Sequence, residues 1–176
     1  MDTIKELVDR LAKHRILDRE EFCFLIDHMS KDGATYLYEK ARNEALNSYG
    51  NRIFVRGLME FTNYCKNDCY YCGIRRSNPK AARYRLTPDQ IMDCCRIGYG
   101  LGLRTFVLQG GEDPWFTDEK IAYLVESIKK SYPDCAVTLS VGEKDLHTYK
   151  RWFDAGADRY LLRHETANPC HYASLH

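Results

Sequence analysis

Residues 53–72 have the sequence Ile53-Phe-Val-Arg-Gly-Leu-Met-Glu-Phe61-Thr-Asn-Tyr-Cys65-Lys-Asn-Asp-Cys69-Tyr-Tyr-Cys72. The apolar run from Ile53 to Phe61 predicts a buried strand. Directly after it comes a loop that carries three cysteines in a Cys-x3-Cys-x2-Cys pattern. A loop that follows a buried strand is positioned by the sheet, and binding residues are common on such loops.

The spacing of the three cysteines predicts iron–sulfur ligation. Thiolates are soft ligands that suit iron, and a closed [4Fe-4S] cluster takes four of them. Cys65, Cys69 and Cys72 supply three from one short loop, which leaves one iron open. An open metal position separates a reactive site from a structural one, as zinc enzymes show. We therefore expect a cluster whose fourth iron binds a small molecule.

Simpler interpretations of the three cysteines stay open at this point. They fit zinc ligands that await a distant fourth, or ordinary buried thiols. Zinc sites favour paired Cys-x2-Cys knuckles with a second cysteine or histidine pair, and the sequence shows no such second pair. A disulfide framework is disfavoured, because we expect no secretory signal and the chain is long enough to build a core.

The composition is that of a globular protein with a small ligand. The chain has 176 residues, of which 44% are hydrophobic and 29% charged, and its net charge is +1. We therefore expect no broad basic field for nucleic acid, and no 18-residue apolar run is present to span a membrane. Eight cysteines without an export signal predict a reducing interior, so the cytoplasm is the expected location.

The chain changes character near residue 50. Residues 1–50 are predicted to form an N-terminal helical cap, in which Asp18-Arg-Glu-Glu21 resembles a capping box and a helix over 34–48 stops before Gly50. After residue 51, short apolar runs alternate with amphipathic segments. The runs predict four parallel strands, over 54–61, 105–108, 136–141 and 160–162.

Helix signals separate these strands. Thr87-Pro-Asp-Gln90 offers a capping box, Thr117 an N-cap, and 145–155 a third helix that stops at Gly156. The alternation predicts an α/β fold. A complete (β/α)8 barrel takes about 250 residues, so 51–176 suffice for about four strand–helix units. We expect a partial TIM-type barrel that is apparently truncated, with 51–176 as its N-terminal half.

The chemically suggestive residues follow the predicted strands. The cysteine loop follows the first strand, and Gln109-Gly-Gly-Glu-Asp113 follows the second. Thr138, Ser140 and Glu143 lie near the end of the third strand, and Arg163-His-Glu-Thr166 ends the fourth. Because active sites of such barrels lie at the carboxyl ends of the strands, we expect these loops to converge on one pocket.

The Cys-x3-Cys-x-aromatic-Cys motif, with Tyr71 as the aromatic residue, resembles the signature of the radical S-adenosylmethionine (radical-SAM) family. The resemblance implies a [4Fe-4S] cluster and S-adenosylmethionine (SAM) as cofactors. It also implies that Gly110, Gly111 and Glu112 contact the amino group of the methionine moiety, where two glycines let the backbone approach closely. The remaining cofactor-binding candidates are Tyr71 near the adenine, Glu165 at the nucleoside, and Thr138 and Arg163 in the cavity wall.

The resemblance also implies a reaction. In this family an electron from the reduced cluster cleaves the sulfonium C–S bond of SAM and yields a 5′-deoxyadenosyl radical. No side-chain general base is required, so no catalytic side chain is assigned. The implied partners are a small-molecule or organometallic substrate and an electron donor such as ferredoxin or flavodoxin, with no nucleic acid and no membrane.

Within the family, residues 55–75, 108–113 and 161–167 are similar to maturases of [FeFe]-hydrogenase. This similarity runs along the whole chain but covers the N-terminal half of such a maturase. It implies a role in building the hydrogenase di-iron centre, with other hydrogenase maturases as further partners. Methylornithine synthase or biotin-synthase-like enzymes are the nearest alternatives, since residues 64–73 are similar in the former. From a different class, an electron carrier or an inactive cluster-binding fragment stays open.

Overall fold

Three helices form the first unit of the computed structural model, which describes residues 3–176 and divides into one unit up to Phe54 and another over Val55–His176. Helix α1 spans Thr3–His14, α2 spans Arg19–Asp27 and α3 spans Lys31–Tyr49. Asp18 and Glu21 form the predicted capping box at the start of α2. The buried core of this unit consists of Ile4, Leu7, Val8, Leu17 and Leu25.

The second unit alternates strands and helices. Its elements are β1 (Gly57–Thr62), α4 (Pro88–Gly100), β2 (Thr105–Gly110), α5 (Asp118–Ser131), β3 (Ala136–Ser140), α6 (Leu146–Asp154), β4 (Arg159–Tyr160) and α7 (Pro169–Leu175). The four strands pair in parallel, and their order in the sheet is their order in the chain. Consecutive parallel strands joined by helices form part of a barrel wall. The predicted α/β fold, a partial TIM-type barrel of four βα units after N-terminal helices, is confirmed.

The helices of this unit begin where capping residues predict them. Thr87 accepts a hydrogen bond from the N–H of Gln90, whose side chain accepts one from the N–H of Thr87. Thr117 caps α5 and Asp145 caps α6. Within residues 3–176, none of the helices has the length and apolar character needed to cross a membrane.

One face of the sheet packs against helices and the other faces a cavity. The strands contribute six residues to the helix-covered core: Met59, Phe61, Phe106, Leu108, Val137 and Leu139. The helices contribute Ile91, Leu124, Val125, Ile128 and Trp152. On the opposite face Glu60, Gln109 and Ser140 are in register across β1, β2 and β3. Gln109 donates to the carboxylate of Glu60 at 3.2 Å. These three side chains form a polar layer towards the carboxyl ends of the strands, and all three line the cavity.

The strand boundaries differ in part from those predicted. β1 begins at Gly57 rather than at 53 or 54, and Ile53 is 90% exposed. The reason is that β2 begins at Thr105 and its residue Phe106 pairs with Gly57, so the preceding apolar residues have no partner strand. β4 contains two residues and ends before the apolar positions 161 and 162.

Helix α6 presents a different face from the one its sequence suggests. The apolar residues Leu146 and Phe153 are 83% and 71% exposed. Trp152 fills the core instead, and its indole N–H donates to the carbonyl of Asp118 at 3.0 Å. Nine residues contain too few apolar positions to fix the buried face of a helix from periodicity alone.

Truncation of Leu108 tests the assigned core. Its side chain is fully buried in β2, so Leu108→Ala should lower the free energy of unfolding by about 2–5 kcal/mol. Leu146→Ala, at the exposed start of α6, is the matched control and should change it by less than about 0.5 kcal/mol. Urea denaturation followed by circular dichroism measures both. Equal losses in the two variants would contradict the assignment.

Candidate active site

The cysteine loop lies at the carboxyl end of β1 and forms one wall of a cavity of about 540 Å³. Cys65, Cys69 and Cys72 are half-buried free thiols, and all three line this cavity. The N–H of Cys72 donates to the carbonyl of Cys69 at 3.0 Å, which tightens the loop. Burial and the neighbouring Cys65 raise the pKa of the Cys69 thiol. Metal binding displaces such protons, because the thiolate is the ligand.

The Gly110-Gly111-Glu112 loop at the end of β2 packs directly on the cysteine loop. A Cβ atom at Gly111 would lie 2.3 Å from the carbonyl oxygen of Tyr64 and 2.8 Å from the Cβ of Cys65. A Cβ atom at Gly110 would lie 2.7 Å from the Cγ2 of Thr62. The two glycines therefore let the loop after β2 lie close to the end of β1 and the start of the cysteine loop.

Glu112 connects the two loops through its backbone and its side chain. Its carbonyl accepts a hydrogen bond from the N–H of Lys66 at 2.9 Å. Its carboxylate accepts from the Nδ2 of Asn67 at 2.9 Å, pairs with the Nζ of Lys66 at 3.0 Å, and accepts from the N–H of Glu143 at 3.4 Å. A carboxylate has about four acceptor positions, so one remains for a donor that enters the cavity.

Gly142 makes room for Glu112 at the end of β3. Its φ is +85°, and a Cβ atom there would lie 2.1 Å from the Cγ of Glu112. Both the backbone conformation and the space therefore require glycine. The hydroxyl of Tyr160 donates to the carbonyl of Gly142 at 2.6 Å, and burial raises the pKa of this phenol, so it remains a donor at neutral pH.

Asp113 holds the start of the cysteine loop. Its side chain is fully buried and accepts from Arg85 at 2.6 and 2.9 Å, from the hydroxyl of Thr62 at 2.7 Å and from the N–H of Trp115 at 3.0 Å. The guanidinium of Arg85 lies 3.8 Å from the ring centre of Tyr64, which precedes the first cysteine. Burial pushes the pKa of Asp113 upward, but the hydrogen bonds from Arg85 and Thr62 outweigh it and lower the pKa. Asp113 is therefore a charged anchor.

Aromatic side chains connect α7 with the cysteine loop. The hydroxyl of Tyr71 lies 2.6 Å from the Nε2 of His176, and His176 stacks on Tyr172 with ring centres 3.9 Å apart. The hydroxyl of Tyr172 donates to the carboxylate of Glu143 at 2.6 Å, which raises the pKa of Tyr172 to about 12. All four side chains line the cavity, so α7 forms part of its wall.

The structure brings together almost all of the site residues named from the sequence. Those that line the cavity are Cys65, Cys69, Cys72, Tyr71, Gly110, Gly111, Glu112, Arg163 and Glu165. Thr138 lies deeper on β3, in register with Val107, and does not line the cavity. Its hydroxyl is buried and has no hydrogen-bond partner among residues 3–176. Ser140, two residues further along β3, reaches the cavity in its place.

Sequence reasoning did not identify Arg85, Gly142 or Tyr172 as parts of the site. A carboxylate directly after a buried strand signals that a cation lies near, but it does not say which one. Gly142, two residues after the end of β3, is a sequence signal for a position that needs glycine. The contact of Tyr172 with Glu143 has no sequence signal, because it joins residues 29 positions apart.

The three cysteines bear on which metal group the cavity can hold. Within the described part of the chain, no group of three or more His, Cys, Asp or Glu side chains is placed to hold a single metal ion. A structural zinc ion needs four ligands at about 2.0–2.3 Å from one centre. In a [4Fe-4S] cluster each thiolate binds a different iron, so the ligands surround the cluster and do not share one metal atom. Cys65, Cys69 and Cys72 are half-buried thiols in one cavity wall, and thiolates are the ligands that iron–sulfur clusters use.

Comparison with known proteins identifies the class. Residues 59–173 match the family model described as "Radical SAM superfamily". The chain therefore belongs to the radical-SAM superfamily, a family of enzymes that use a [4Fe-4S] cluster and SAM.

The chain is similar to particular members of this superfamily. The chain is 47% identical to the [FeFe] hydrogenase maturase subunit HydE of Thermotoga maritima over 126 residues, which is 72% of this chain and 36% of that protein. It is 29% identical to 3-methylornithine synthase of Methanosarcina barkeri over 177 residues, 99% of this chain and 50% of that protein. The crystal structure of HydG, a maturase of the [FeFe]-hydrogenase, matches with a TM-score of 0.87 at 25% identity, over 99% of this chain and 40% of that one. The chain thus spans about a third to a half of the length of these relatives.

Adding one methyl group to the glycine loop tests the contact between the two loops. Gly111→Ala should displace Tyr64 or Cys65 and lower the free energy of unfolding by about 1–3 kcal/mol. It should also reduce the iron bound per chain after anaerobic reconstitution. Gly100→Ala is the matched control, because a Cβ atom there meets nothing within 4 Å. Thermal denaturation measures the change in stability, and iron analysis measures the iron bound per chain. Normal iron content in Gly111→Ala would contradict the proposed packing.

The anchor at Asp113 predicts a pH dependence. Its pKa in the folded chain lies below its ordinary value of 3.8, so its contribution to stability is present above that pH and is lost as the pH falls through the folded value. Asp113→Asn should lower the free energy of unfolding by about 1–3 kcal/mol at pH 7. The difference from the unaltered chain should shrink below about pH 4.

The control for this prediction is Asp93→Asn, which removes a surface ion pair with Arg96. The carboxylate of Asp93 is 68% exposed, so no measurable change is expected at any pH. Chemical denaturation between pH 3 and 7 gives both curves. A deficit in Asp113→Asn that does not change with pH would show that the charge of Asp113 is not what stabilises the loop.

Proposed function

We propose that this chain is the cluster-binding and SAM-binding part of an enzyme that acts in the maturation of [FeFe]-hydrogenase. The observation that carries the proposal is one cavity with the three thiols and the Gly-Gly-Glu loop in its wall, joined by the 2.9 Å hydrogen bond from Lys66 to Glu112. The two motifs are about forty positions apart in the sequence, and each alone is weak evidence. In this proposal, residues 51–176 are the N-terminal half of a barrel and residues 1–50 are a helical cap.

Cys65, Cys69 and Cys72 would hold three irons of the cluster. When bound, the reduced cluster supplies the electron that cleaves the sulfonium C–S bond of SAM and so yields the 5′-deoxyadenosyl radical. The chain itself supplies binding and orientation. No side-chain base is needed, so no catalytic side chain is assigned.

The methionine end of SAM would be held at the end of β2. The carboxylate of Glu112 has one acceptor position left, and an ammonium group would donate a charge-assisted hydrogen bond to it. The backbone of Gly110 and Gly111 lies beside it in the cavity wall. The side chain of Glu112 is 14% exposed, so a bound ammonium would be largely shielded from water.

The nucleoside end would lie towards α7 and the end of β4. Tyr71 offers an aromatic face for the adenine, and its hydroxyl is already bonded to His176. Glu165 lines this side of the cavity, where its carboxylate can accept hydrogen bonds from the ribose hydroxyls, and Arg163 lies in the same wall. Thr138 is buried one layer below Ser140 and does not line the cavity, so it is assigned no contact with SAM.

The role in hydrogenase maturation is supported by the 47% identity with HydE, against 29% with 3-methylornithine synthase. The substrate would be a small molecule, organometallic in nature, and the partners would be an electron carrier and other hydrogenase maturases. The second candidate is chemistry of the 3-methylornithine synthase type. It is supported by a match that extends over 99% of this chain.

Removal of single thiols tests the first part of the proposal. After reconstitution with iron and sulfide under nitrogen, the protein with SAM and dithionite should form 5′-deoxyadenosine. Alanine in place of Cys65, Cys69 or Cys72 should abolish product formation and reduce bound iron, because each loses a cluster ligand. Cys94→Ala, an exposed cysteine on α4 away from the cavity, should behave like the unaltered protein. Product formation in all four variants would refute the ligand assignment, and bound iron without any product would favour an electron carrier.

Complementation distinguishes the two candidate functions. Cells that lack their own HydE-type maturase should regain hydrogenase activity when they express the intact gene, and its Cys65→Ala variant should fail to restore it. Formation of 3-methylornithine without recovery of hydrogenase activity would instead establish the second candidate.

A further inference from the structure

Residues 73–85, here called the basic segment, follow the cysteine loop and concentrate positive charge. The segment contains five Lys or Arg residues and no Asp or Glu, whereas the whole chain has a net charge of only +1. A local excess of one sign on a nearly neutral protein attracts partners of the opposite sign and raises their rate of association. This charge does not serve the cavity, since none of the five basic side chains lines it.

Several hydrogen bonds fasten the basic segment to the cysteine loop. The N–H of Arg76 donates to the carbonyl of Asn67 at 2.9 Å, and the N–H of Ser77 donates to the carboxylate of Asp68 at 2.9 Å. The guanidinium of Arg83 donates to the carbonyl of Asn63, at the start of the cysteine loop, and to that of Arg75 at 2.6 Å. The segment is therefore a fixed surface beside the three thiols.

Arg76 and Lys80 carry the free charge of this surface. Both are exposed, and neither side chain has a hydrogen bond or ion pair with any residue in 3–176. The other cations are occupied, since Arg75 and Arg83 donate to backbone carbonyls and Arg85 binds Asp113. The carboxylate of Asp68 lies near enough to Arg76 for their charges to interact, but it accepts its hydrogen bond from the N–H of Ser77. Arg76 and Lys80 together therefore keep an attraction for an incoming anion.

We propose that the exposed side of the basic segment, around Arg76 and Lys80, is the docking surface for an acidic one-electron carrier protein of ferredoxin or flavodoxin type. The inference rests on the proposed function, because reductive cleavage of SAM consumes one electron per turnover. That electron leaves the carrier, which is oxidised, and enters the cluster, which is reduced. SAM and substrate occupy the cavity, so the carrier must approach outside it, where the basic segment adjoins the cysteine loop. A short electron path and complementary charge then coincide at one place.

Charge reversal with a matched control tests this surface. The test variant is Arg76→Glu/Lys80→Glu, and the control is Lys13→Glu/Lys130→Glu, which makes the same charge change at exposed lysines on α1 and α5. Binding of an oxidised plant-type [2Fe-2S] ferredoxin is measured by calorimetry at several salt concentrations, with the cluster-loaded and the cluster-free chain. The formation of 5′-deoxyadenosine is measured in parallel with reduced ferredoxin and with dithionite.

We expect the test variant to weaken ferredoxin binding about tenfold or more, and to lose most of its salt dependence, in both forms of the chain. Ferredoxin-driven product formation should fall similarly, while dithionite-driven formation should stay unchanged. The control should match the unaltered protein in every measurement. This pattern would support the docking surface.

Other results would overturn the proposal. Equal weakening by the control would reveal a general charge effect, and unchanged binding in the test variant would place the carrier elsewhere. Binding of a single-stranded oligonucleotide as tight as that of ferredoxin would show a non-specific anion surface. Absence of product with dithionite in the unaltered intact protein would refute the proposed function itself. The binding measurements would still show whether ferredoxin binds at the basic segment.

Discussion

The contact between the cysteine loop and the Gly-Gly-Glu loop is the constraint on which the site depends. Because β1 and β2 are parallel neighbours, the loops that follow them leave the sheet side by side. Gly111 lets them touch, and the hydrogen bond between Lys66 and the carbonyl of Glu112 closes the contact. A side chain larger than hydrogen at Gly111 would separate the thiols from the place where Glu112 offers its remaining acceptor position.

Two adjacent carboxylates at the end of β2 have different surroundings and hence different roles. Asp113 is buried and its acceptor positions are filled by Arg85, Thr62 and a backbone N–H, so it can only hold the fold. Glu112 borders the cavity and keeps one position free. Burial and filled acceptor positions thus make Asp113 an anchor, whereas Glu112, its neighbour in the chain, keeps an acceptor position open to the cavity.

The features that the sequence predicts well are those set by local chemistry. The capping box at Thr87 and the cysteine spacing depend on residues within a few positions of one another, and the order of strands follows from alternation. The predicted start of β1 is wrong, because a strand begins where its partner strand offers a pairing residue, whatever the apolar character of the residues before it. The pairing of Arg85 with Asp113 and the contact of α7 with the cysteine loop are long-range, so no local pattern encodes them.

In the proposed site, three thiolates would hold a cubane with one iron open to the amino and carboxylate groups of SAM. Electron–nuclear double resonance on the reduced, reconstituted protein tests it directly, with SAM isotopically labelled in its amino nitrogen. We predict one [4Fe-4S] cluster per chain and a hyperfine coupling between the cluster and the labelled nitrogen. A cluster whose spectrum does not change when SAM is added, or purified protein that binds zinc instead of iron, would contradict this account.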